Sequence, residues 1–409
     1  MIAEPPIDLP TVRILGDAAE WDDLASDWAA LFDASPEAAT PLQFLWLRLW
    51  WRIYGPIYGA NGASRALRLF TFWRGSRLVG ALPLYENRVG GYFFGLRRIA
   101  FLSTGEAEYE ETCPDYMNLL AAPGEEDGCV AALEAALPTT EWDCVELLGL
   151  PEGSPLLSER LAIDHGHRRS VVPRGACPIA NLNGGFDAYL QRLSPNSRQR
   201  ARRLLREAEK CGAILELATP AAMEEFFDDL VRLHQQRWME QRKPGCFAAS
   251  RFTTFHRSLA SQWIDSGQVV LARLSIGGQA IAALYGFVTR SKFDFYQSGV
   301  NTHELGVLRS PGHAAHLLLM RELCRRGITR YDFLRGSSNY KAQLATESVQ
   351  LFMLQVWRPS VRATVYHAAR TVRKAMRDAL HGGFLAESTN DRATLRGFLW
   401  RRPPPRGRC

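Results

Sequence analysis

Residues 292–341 read KFDFYQSGV NTHELGVLRS PGHAAHLLLM RELCRRGITR YDFLRGSSNY K, and this stretch decides the fold. It predicts a strand over Lys292–Val300, a turn with a proline and a glycine, a helix to Arg326, and a strand over Ile328–Leu334. A turn that opens a helix after a strand exposes unpaired backbone N–H groups at the positive end of the helix dipole. Such a helix start suits a phosphate or pyrophosphate, so the stretch predicts a cofactor site.

Outward from this stretch, the chain predicts the same order of elements twice, β-α-α-β-β-β-α-β. The first copy consists of a strand at Val12–Leu15, helices at Ala18–Phe32 and Gln43–Ile53, strands at Leu67–Trp73, Arg77–Tyr85 and Tyr92–Leu102, a helix at Glu125–Leu137 and a strand at Trp142–Leu150. The second consists of Ala213–Ala218, helices at Ala221–Gln241 and Arg251–Ser266, strands at Val269–Ser275 and Ala280–Thr289, and the stretch above, with a further strand at Val349–Val356. Between the copies, Ser170–Asn183 is predicted to be irregular.

This pattern predicts a mixed α/β protein with three parts: residues 1–175, residues 176–357, and a tail over residues 358–409. A chain of 409 residues exceeds one ordinary hydrophobic core, which agrees with two domains. The start has no basic region followed by an apolar one, and the eight cysteines have no metal-ligand spacing. We therefore expect a cytoplasmic protein without a metal.

Basic residues are concentrated in two places. From Gln355 to Cys409 there are twelve Arg or Lys residues against three acids, and 358–381 has an amphipathic helical pattern. This tail is expected to dock on the body, on an anionic membrane surface or on a partner; nucleic acid is disfavoured because no aromatic residues interleave with the charge. The second run is a solvated helix face or an anion-binding arm. It comprises Arg192, Arg198, Arg200, Arg202, Arg203, Arg206 and Lys210.

The element order and the string Arg309-Ser310-Pro311-Gly312-His313-Ala314 resemble the GNAT acyltransferase superfamily. There, a Q/R-x-x-G-x-G/A turn between the fourth strand and a helix holds the pyrophosphate of acyl-CoA. More closely, the chain resembles the CelD/BcsL-type acyltransferases, named for their link to bacterial cellulose biosynthesis. These are related to FemAB-type aminoacyl transferases in having two tandem GNAT-like folds. The residues that carry this resemblance are Phe186-Asp187-Ala188-Tyr189-Leu190, Arg237-Trp238, Phe295-Tyr296-Gln297-Ser298-Gly299, Ser310-Pro311-Gly312, Tyr331-Asp332-Phe333-Leu334-Arg335-Gly336 and Tyr340-Lys341.

The resemblance implies a donor, acetyl-CoA or another acyl-CoA, held by Arg309, Ser310, Pro311, Gly312, His313 and Ala314. The chain departs from the family pattern in two respects. The first half has no such string between Leu102 and Glu125, so we expect it to shape the acceptor cleft instead. The string itself has one glycine and a rigid proline, which puts the strength of pyrophosphate binding in doubt.

Acyl transfer from a thioester needs a group that takes the acceptor's proton, a donor for the oxyanion and a proton for the thiolate. In GNAT folds a backbone N–H of the fourth strand polarises the thioester carbonyl. The matching stretch is Tyr296–Gly299, with Gln297 as the catalytic candidate and Gly299 compatible with a bulge. Tyr340 loosely matches the tyrosine that protonates CoA sulfur, with a packing role as the alternative.

Two further residues are catalytic candidates. Lys341 neutralises a phosphate or the oxyanion, or it is an exposed structural lysine. Asp332 lies in an otherwise apolar strand, where an unpaired carboxylate is costly. It is therefore a general-base candidate, with a buried ion pair to Arg335 or Arg330 as the alternative.

The acceptor candidates are Arg237, Trp238 and Asp115. An arginine beside a tryptophan suits a sugar face or a carboxylate, with a helix end packed on the core as the alternative. Asp115 follows Cys113-Pro114 in a loop that we expect at the interface between the domains. His313 and His316 lack a third metal ligand, and His313 is expected to face the phosphates or water.

Three functions remain open on the sequence. The first is acyl-CoA-dependent transfer to an amine or hydroxyl of a saccharide-type or other polar acceptor, within exopolysaccharide or cellulose biosynthesis. The second is FemAB-like transfer from aminoacyl-tRNA, which the arginine run motivates. The third is a non-catalytic accessory scaffold of a polysaccharide synthase, reached through the basic tail.

Overall fold

The computed structural model describes residues 9–55, 65–89, 95–158, 167–301, 308–336 and 338–366. The fold is mixed α/β, as predicted. The first half contains β1 (Thr11–Leu15), α1 (Ala18–Asp22), α2 (Ala25–Ala34), α3 (Phe44–Tyr54), β2 (Ala66–Leu67), β3 (Leu69–Arg74), β4 (Arg77–Leu82), β5 (Leu84–Val89), β6 (Leu96–Phe101), β7 (Leu120–Ala121), α4 (Glu126–Ala136) and β8 (Cys144–Pro151).

The second half begins with a long strand and two helices that precede the second copy of the element order. Its elements are β9 (Arg168–Asn181), α5 (Phe186–Arg192), α6 (Pro195–Lys210), β10 (Ile214–Leu217), α7 (Met223–Glu240), α8 (Ser250–Trp263), β11 (Val269–Ile276), β12 (Gln279–Thr289), β13 (Lys292–Val300), α9 (Pro311–Arg325), β14 (Arg330–Asp332), α10 (Asn339–Leu344) and β15 (Glu347–Trp357). The arginine-rich helix is therefore α6, capped at its start by the Ser194 side chain.

The predicted duplication is present in the strand pairing. In the first half β6 pairs in parallel with β8 after helix α4, and in the second half β13 pairs in parallel with β14 after helix α9. The other strand pairs are antiparallel in both halves, and β4 and β5 form one bent strand interrupted at Pro83. The helix predicted over Ala18–Phe32 is two helices, because residues 23–24 form a turn.

One large sheet joins the two halves. Its eleven strands run in the order β10-β11-β12-β13-β14-β9-β15-β8-β6-β5-β2, and a second sheet has the order β1-β3-β4-β7. The two central strands are exchanged in the sense that each pairs with the set of strands that it does not directly follow in the chain. β9, which follows the first half in sequence, pairs with β14 of the second half, whereas β15 follows β14 and pairs with β8 of the first half.

The prediction of irregular structure over Ser170–Asn183 is wrong for residues 170–181, because they belong to β9. Pro173, Gly175 and Pro178 interrupt the strand pattern in the sequence. The structure tolerates them because the β9–β15 register shifts where Gly175 and Pro173 face β15, a bulge that leaves Arg174 without a partner. The boundary proposed at residue 175 lies within this strand, and the division into domains stays a proposal.

The sheet of the second half is covered on both faces. Residues of α5, α6 and α9 pack on one face in a separate hydrophobic cluster. Residues of α7 and α8 cover the other face and share a continuous core with the first half. In the tail, residues 361–366 are helical, and the remainder of the predicted amphipathic helix lies outside the described residues. Among the described helices, none is both long and apolar enough to span a membrane.

Candidate active site

A slot opens in the sheet where β13 and β14 separate. The two strands pair at only three positions, of which Asp294 with Asp332 is the last. β14 ends there, whereas β13 continues to Val300. Odd-numbered residues beside the slot, such as Phe295 and Phe333, contact His316 of α9. Asp294 and Asp332 lie on the opposite face of the sheet, towards the first half, because strand side chains alternate and Asp332 contacts Tyr116.

A β-bulge on β13 borders this slot. Tyr285 pairs with Gln297 and Gly286 pairs with Phe295, so Tyr296 has no partner on β12. The bulge therefore lies within the predicted stretch Tyr296–Gly299, at Tyr296 rather than at the glycine that was compatible with it. Gly299 serves a different purpose: a Cβ there would lie 2.5 Å from the Leu233 side chain, so the glycine lets α7 pack closely on β13.

The start of α9 lies at the end of β13. Its first helical backbone bond runs from the Ala314 N–H to the Ser310 carbonyl, and Ser310 makes no side-chain capping bond. Pro311 has no N–H, so the N–H groups of Gly312 and His313 are left without a partner in the helix. A Cβ on Gly312 would approach Val300 to 3.2 Å, so this glycine brings the helix start against the strand.

Three arginines from separate elements belong to this region, and none forms an ion pair within the described part of the chain. Arg309 directly precedes the helix and is exposed. Arg200 of α6 lines a small pocket with His313 and donates to the Gln343 side chain at 2.8 Å. Burial lowers the pKa of His313, and the charge of Arg200 lowers it further. Arg237 is exposed in the last turn of α7, and its positive charge lowers the pKa of Tyr340, against the effect of burial.

Tyr340 packs in an aromatic cluster beside the helix start. Its ring stacks on His316 at 5.4 Å and meets His313 edge-on at 5.6 Å. Burial raises the pKa of Tyr340 to about 12, so the phenol is protonated at neutral pH. His316 is buried and hydrogen-bonded to the Tyr331 hydroxyl at 2.7 Å, so its role is to order this cluster. The predicted cofactor residues and Tyr340 thus lie together.

Asp332 is fully buried and bonded to groups that the sequence did not indicate. Its Oδ2 accepts a 2.5 Å hydrogen bond from the Tyr116 hydroxyl, and the Lys292 ammonium lies 3.7 Å away. Lys292 also forms a 2.8 Å ion pair with Asp294. Burial raises the pKa of Asp332 to about 6, while Lys292 lowers it and Asp294 raises it. The expected partners Arg335 and Arg330 are not bonded to it; Arg335 pairs instead with Asp115.

Lys341 and Asp115 clamp the loop that follows β14. The Lys341 ammonium donates to the carbonyls of Phe333, Leu334 and Arg335 at 2.7, 3.2 and 3.0 Å. Asp115 accepts from the Arg335 N–H at 2.7 Å. All three donors of Lys341 are thereby used by backbone, and burial lowers its pKa. This geometry gives Lys341 and Asp115 a part in holding one wall of the slot.

Arg237 and Trp238 differ in their surroundings. Arg237 is exposed, whereas Trp238 packs against the His234 ring at 5.9 Å and lies beneath the Lys243 ammonium at 5.7 Å. Trp238 thus has the packed position that was the alternative to a ligand contact, and Arg237 is the member of the pair that can reach a bound molecule.

The first half contributes to the site through loop 103–116, which connects β6 to β7. Backbone strain marks it: Ser103, Cys113 and Tyr116 have positive φ angles without being glycine. Residues held in that region cost free energy and cluster at functional sites. The loop crosses to the second half, where the Tyr296 hydroxyl donates to the Thr112 carbonyl at 2.6 Å. Asp115 also contacts the second half, through its ion pair with Arg335.

Several polar residues of this interface were missed from the sequence. Glu106 is buried, accepts from Trp50 and Thr112, and has its pKa raised by burial. His256 is fully buried and lies 3.0 Å from the Tyr296 hydroxyl. The alternation of Lys292 and Asp294 on one strand face was the available signal, but their partners come from distant segments. Among the described residues, no group of three or more His, Cys, Asp or Glu side chains is arranged to hold a metal ion.

Comparison with known proteins agrees with this arrangement. Residues 195–342, from α6 to α10, match the model of the acetyltransferase (GNAT) domain, so this part of the chain is similar to such a domain. The solved structure of FemX is similar with a TM-score of 0.52 and 11% identity, over 80% of this chain and 95% of that one. The solved structure of a conserved protein of unknown function from Bacteroides thetaiotaomicron is similar with a TM-score of 0.51 and 12% sequence identity. The match covers 85% of this chain and 100% of that one. At sequence identities this low, the structural similarity shows a shared fold. No curated protein is significantly similar in sequence.

Proposed function

We propose that the protein is an acyl-CoA-dependent acyltransferase, with acetyl-CoA as the simplest donor. The observation that carries the proposal is the slot between β13 and β14, with the exposed N–H groups of Gly312 and His313 on one side and loop 103–116 on the other. A donor with a phosphate end and a thin thioester arm fits this geometry. The phosphates would lie at the start of α9, and the arm would enter the slot.

In this proposal the residues from Arg309 to Ala314 hold the donor's pyrophosphate. The main-chain N–H at the Tyr296 bulge, or that of Gln297 beside it, donates to the thioester carbonyl oxygen as negative charge develops there. Tyr340, protonated at neutral pH, supplies the proton for the departing thiolate. The acceptor approaches from the side of the first half and attacks the carbonyl directly, without an acyl-enzyme.

Titration calorimetry with acetyl-CoA and with CoA tests the donor. Gly312→Trp should abolish binding, because even a Cβ at this position presses on Val300 and an indole would cover the free N–H groups. The matched control is Gly16→Trp, an exposed glycine whose nearest neighbour would lie 3.8 Å from the new Cβ. If the folded wild type binds neither ligand, or if Gly312→Trp binds both normally, the proposal is wrong.

The acceptor that we propose is an amine or hydroxyl of a saccharide or other polar molecule, in agreement with the resemblance to CelD/BcsL-type enzymes. An exposed arginine, Arg237, is available on the acceptor side of α7. We extend the proposal to a cytoplasmic role in exopolysaccharide or cellulose biosynthesis, with the basic tail as a contact to membrane or synthase. Acetyl transfer from radiolabelled acetyl-CoA to glucosamine and to cello-oligosaccharides tests the acceptor class.

A second candidate is transfer from aminoacyl-tRNA, which the surface of α6 favours. Arg202, Arg203 and Arg206 are exposed along this helix, and among the described residues only Arg203 has an ion-pair partner, Glu207. A basic helix of this kind suits a nucleic-acid backbone. Salt-dependent binding of charged tRNA that is lost in the triple alanine variant, with no affinity for acetyl-CoA, would favour this candidate over the first.

A further inference from the structure

We propose that Tyr116, supplied by the first half, is a catalytic residue that takes the acceptor's proton and passes its own proton to Asp332. The inference deepens the proposed acyl transfer and rests on it. Its basis is the position of the Tyr116–Asp332 hydrogen bond, at the point where β13 and β14 stop pairing. That point is the closed end of the slot, where a thioester arm entering from the α9 side would meet an acceptor from the other side.

Asp332 cannot reach an acceptor by itself. It has no exposed surface, and its Oδ1 is occupied by the Leu334 N–H at 2.7 Å. Tyr116 is only half-buried, and its hydroxyl donates to the remaining Asp332 oxygen. Lys292, the ion-pair partner of Asp332, is also half-buried, but its ammonium lies 3.7 Å away, so the phenol is the half-buried group that is hydrogen-bonded to the carboxylate.

The surroundings of Tyr116 hold it in this place at a cost in backbone strain. Its φ angle is +66°, a region that costs free energy for a side chain of this size. The Lys292 ammonium lies 4.2 Å from the centre of the ring, a cation–π contact that fixes the ring's orientation. Gly149, at a φ of +87°, allows the loop to approach β8, because a Cβ there would lie 2.9 Å from the Pro114 carbonyl.

The proton transfer balances as follows. The acceptor's nitrogen or oxygen forms a bond to the thioester carbonyl carbon and its proton moves to the Tyr116 oxygen, as the Tyr116 proton moves to Asp332 Oδ2. The carbon–sulfur bond breaks, and the thiolate takes a proton from Tyr340. Asp332 then returns its proton to solvent and Tyr340 regains one, so the net reaction consumes acyl-CoA and acceptor and yields acylated product and CoA.

The carboxylate is suited to this role because its pKa, raised by burial to about 6, lies close to neutral pH. Charged and titratable groups face it from every packed element. They are Lys292 and Asp294 on β13, Cys177 on β9 and Lys341 on α10, with the Asp115–Arg335 pair next to Lys341. None of these other groups donates a hydrogen bond to Asp332 Oδ2.

Fluorine NMR of the full chain labelled with 3-fluorotyrosine tests the placement without knowledge of the acceptor. Tyr116→Phe assigns the signal, and Tyr109→Phe assigns a control in the same loop that is 59% exposed. Acetyl-CoA should shift the Tyr116 signal and leave Tyr109 unchanged, and adenosine 3′,5′-bisphosphate, which lacks the arm, should shift neither. An unchanged Tyr116 signal at saturating acetyl-CoA overturns the inference. Absence of acetyl-CoA binding by calorimetry removes the proposed function and the inference together.

The same signal tests the proton coupling. In the wild type the Tyr116 shift should titrate with a midpoint near that of Asp332, about pH 6, and Asp332→Asn should abolish the titration. A titration that persists in Asp332→Asn, or none in the wild type between about pH 5 and pH 8, contradicts the coupling. The expected midpoint applies to the free protein, before donor binding changes the charge in the slot.

Turnover gives a second, catalytic measurement, with glucosamine as the probe acceptor and CoA thiol release as the signal. Tyr116→Phe should lower kcat about 100-fold with an unchanged KM for acetyl-CoA, as expected when a general base is lost. Tyr109→Phe should match the wild type. Normal kcat in a folded Tyr116→Phe variant overturns the catalytic role, and the NMR titrations decide placement and coupling whether or not glucosamine is acylated.

Discussion

At the scale of single residues, the site depends on what burial does to Asp332. An isolated carboxylate inside a sheet is costly, and the structure offsets that cost with the Tyr116 hydroxyl, the Leu334 N–H and the nearby Lys292 ammonium. The offset is incomplete because the pKa remains raised, to about 6. The charge on Asp332 is therefore a net cost to folding, of the kind that persists where chemistry requires it.

This cost predicts a pH-dependent stability difference. The folded state binds the Asp332 proton more tightly than the unfolded state, so stability falls as pH rises from about 4 to about 6. Relative to Asp332→Asn, the wild type should lose on the order of 2 kcal/mol of unfolding free energy across that interval. Urea unfolding of both proteins at several pH values measures the difference. If the unfolding free energies of the two proteins changed equally with pH, Asp332 would have an ordinary pKa.

At the scale of elements, the loop after β14 shows how a short strand is ended and held. Leu334 has a positive φ angle. The Lys341 ammonium donates hydrogen bonds to backbone carbonyls of this loop, and the Asp115 carboxylate accepts one from the Arg335 N–H. Gly336 leaves room for the Lys341 side chain, because a Cβ at position 336 would lie 3.0 Å from the Lys341 ammonium. The α10 helix, the loop and the first half are thereby joined at the slot.

Lys341→Met should loosen this loop. Removal of a buried cation that serves three carbonyls should cost about 2 to 3 kcal/mol of unfolding free energy. Hydrogen exchange should accelerate at residues 333–336, and the exposed Lys210→Met in α6 should change neither quantity. A Lys341→Met variant of normal stability that has lost turnover would instead favour the direct role on phosphate or oxyanion predicted from the sequence.

The arginine run on α6 divides between the two interpretations that the sequence left open. The exposed Arg202, Arg203 and Arg206 agree with a solvated face, whereas Arg200 points to the start of α9 beside His313. We predict that Arg200→Ala weakens CoA binding about tenfold, because a charge-assisted phosphate contact is lost. Arg202→Ala, two positions away and exposed, is the matched control. Calorimetric titrations that are equal for both variants would remove Arg200 from the donor site.

At the scale of the whole molecule, the exchange of β9 and β15 makes the halves dependent on each other. β15 lies between β9 and β8, so a fragment of residues 176–357 exposes the edge of β15 that β8 covers and lacks the first part of β9. An unpaired strand edge promotes aggregation and misfolding. We predict one cooperative unfolding transition for the full chain and no folded state for the fragment, measured by circular dichroism and proton NMR. A fragment with dispersed amide signals would show that the halves fold independently.

The sequence by itself determined the element order, its duplication, and the helix start after β13. These features are local: strand alternation, helical periodicity and a proline–glycine turn are encoded by neighbouring residues. It also identified Asp332, since one acid stands out in an apolar strand. Only the tertiary structure decided that residues 170–181 belong to a central strand, because a strand rich in proline and glycine is stabilised by its two neighbours rather than by its own propensities.

The partners of each candidate side chain were likewise decided by tertiary structure alone. Asp332 bonds Tyr116 across 216 residues of sequence, and Asp115 pairs with Arg335 across 220. No periodicity links such positions, because their contact depends on how the two halves share one sheet. Sequence thus determined which elements form and that a helix starts directly after β13. Only the fold, in which β9 and β15 are exchanged, brings loop 103–116 of the first half against the end of β14.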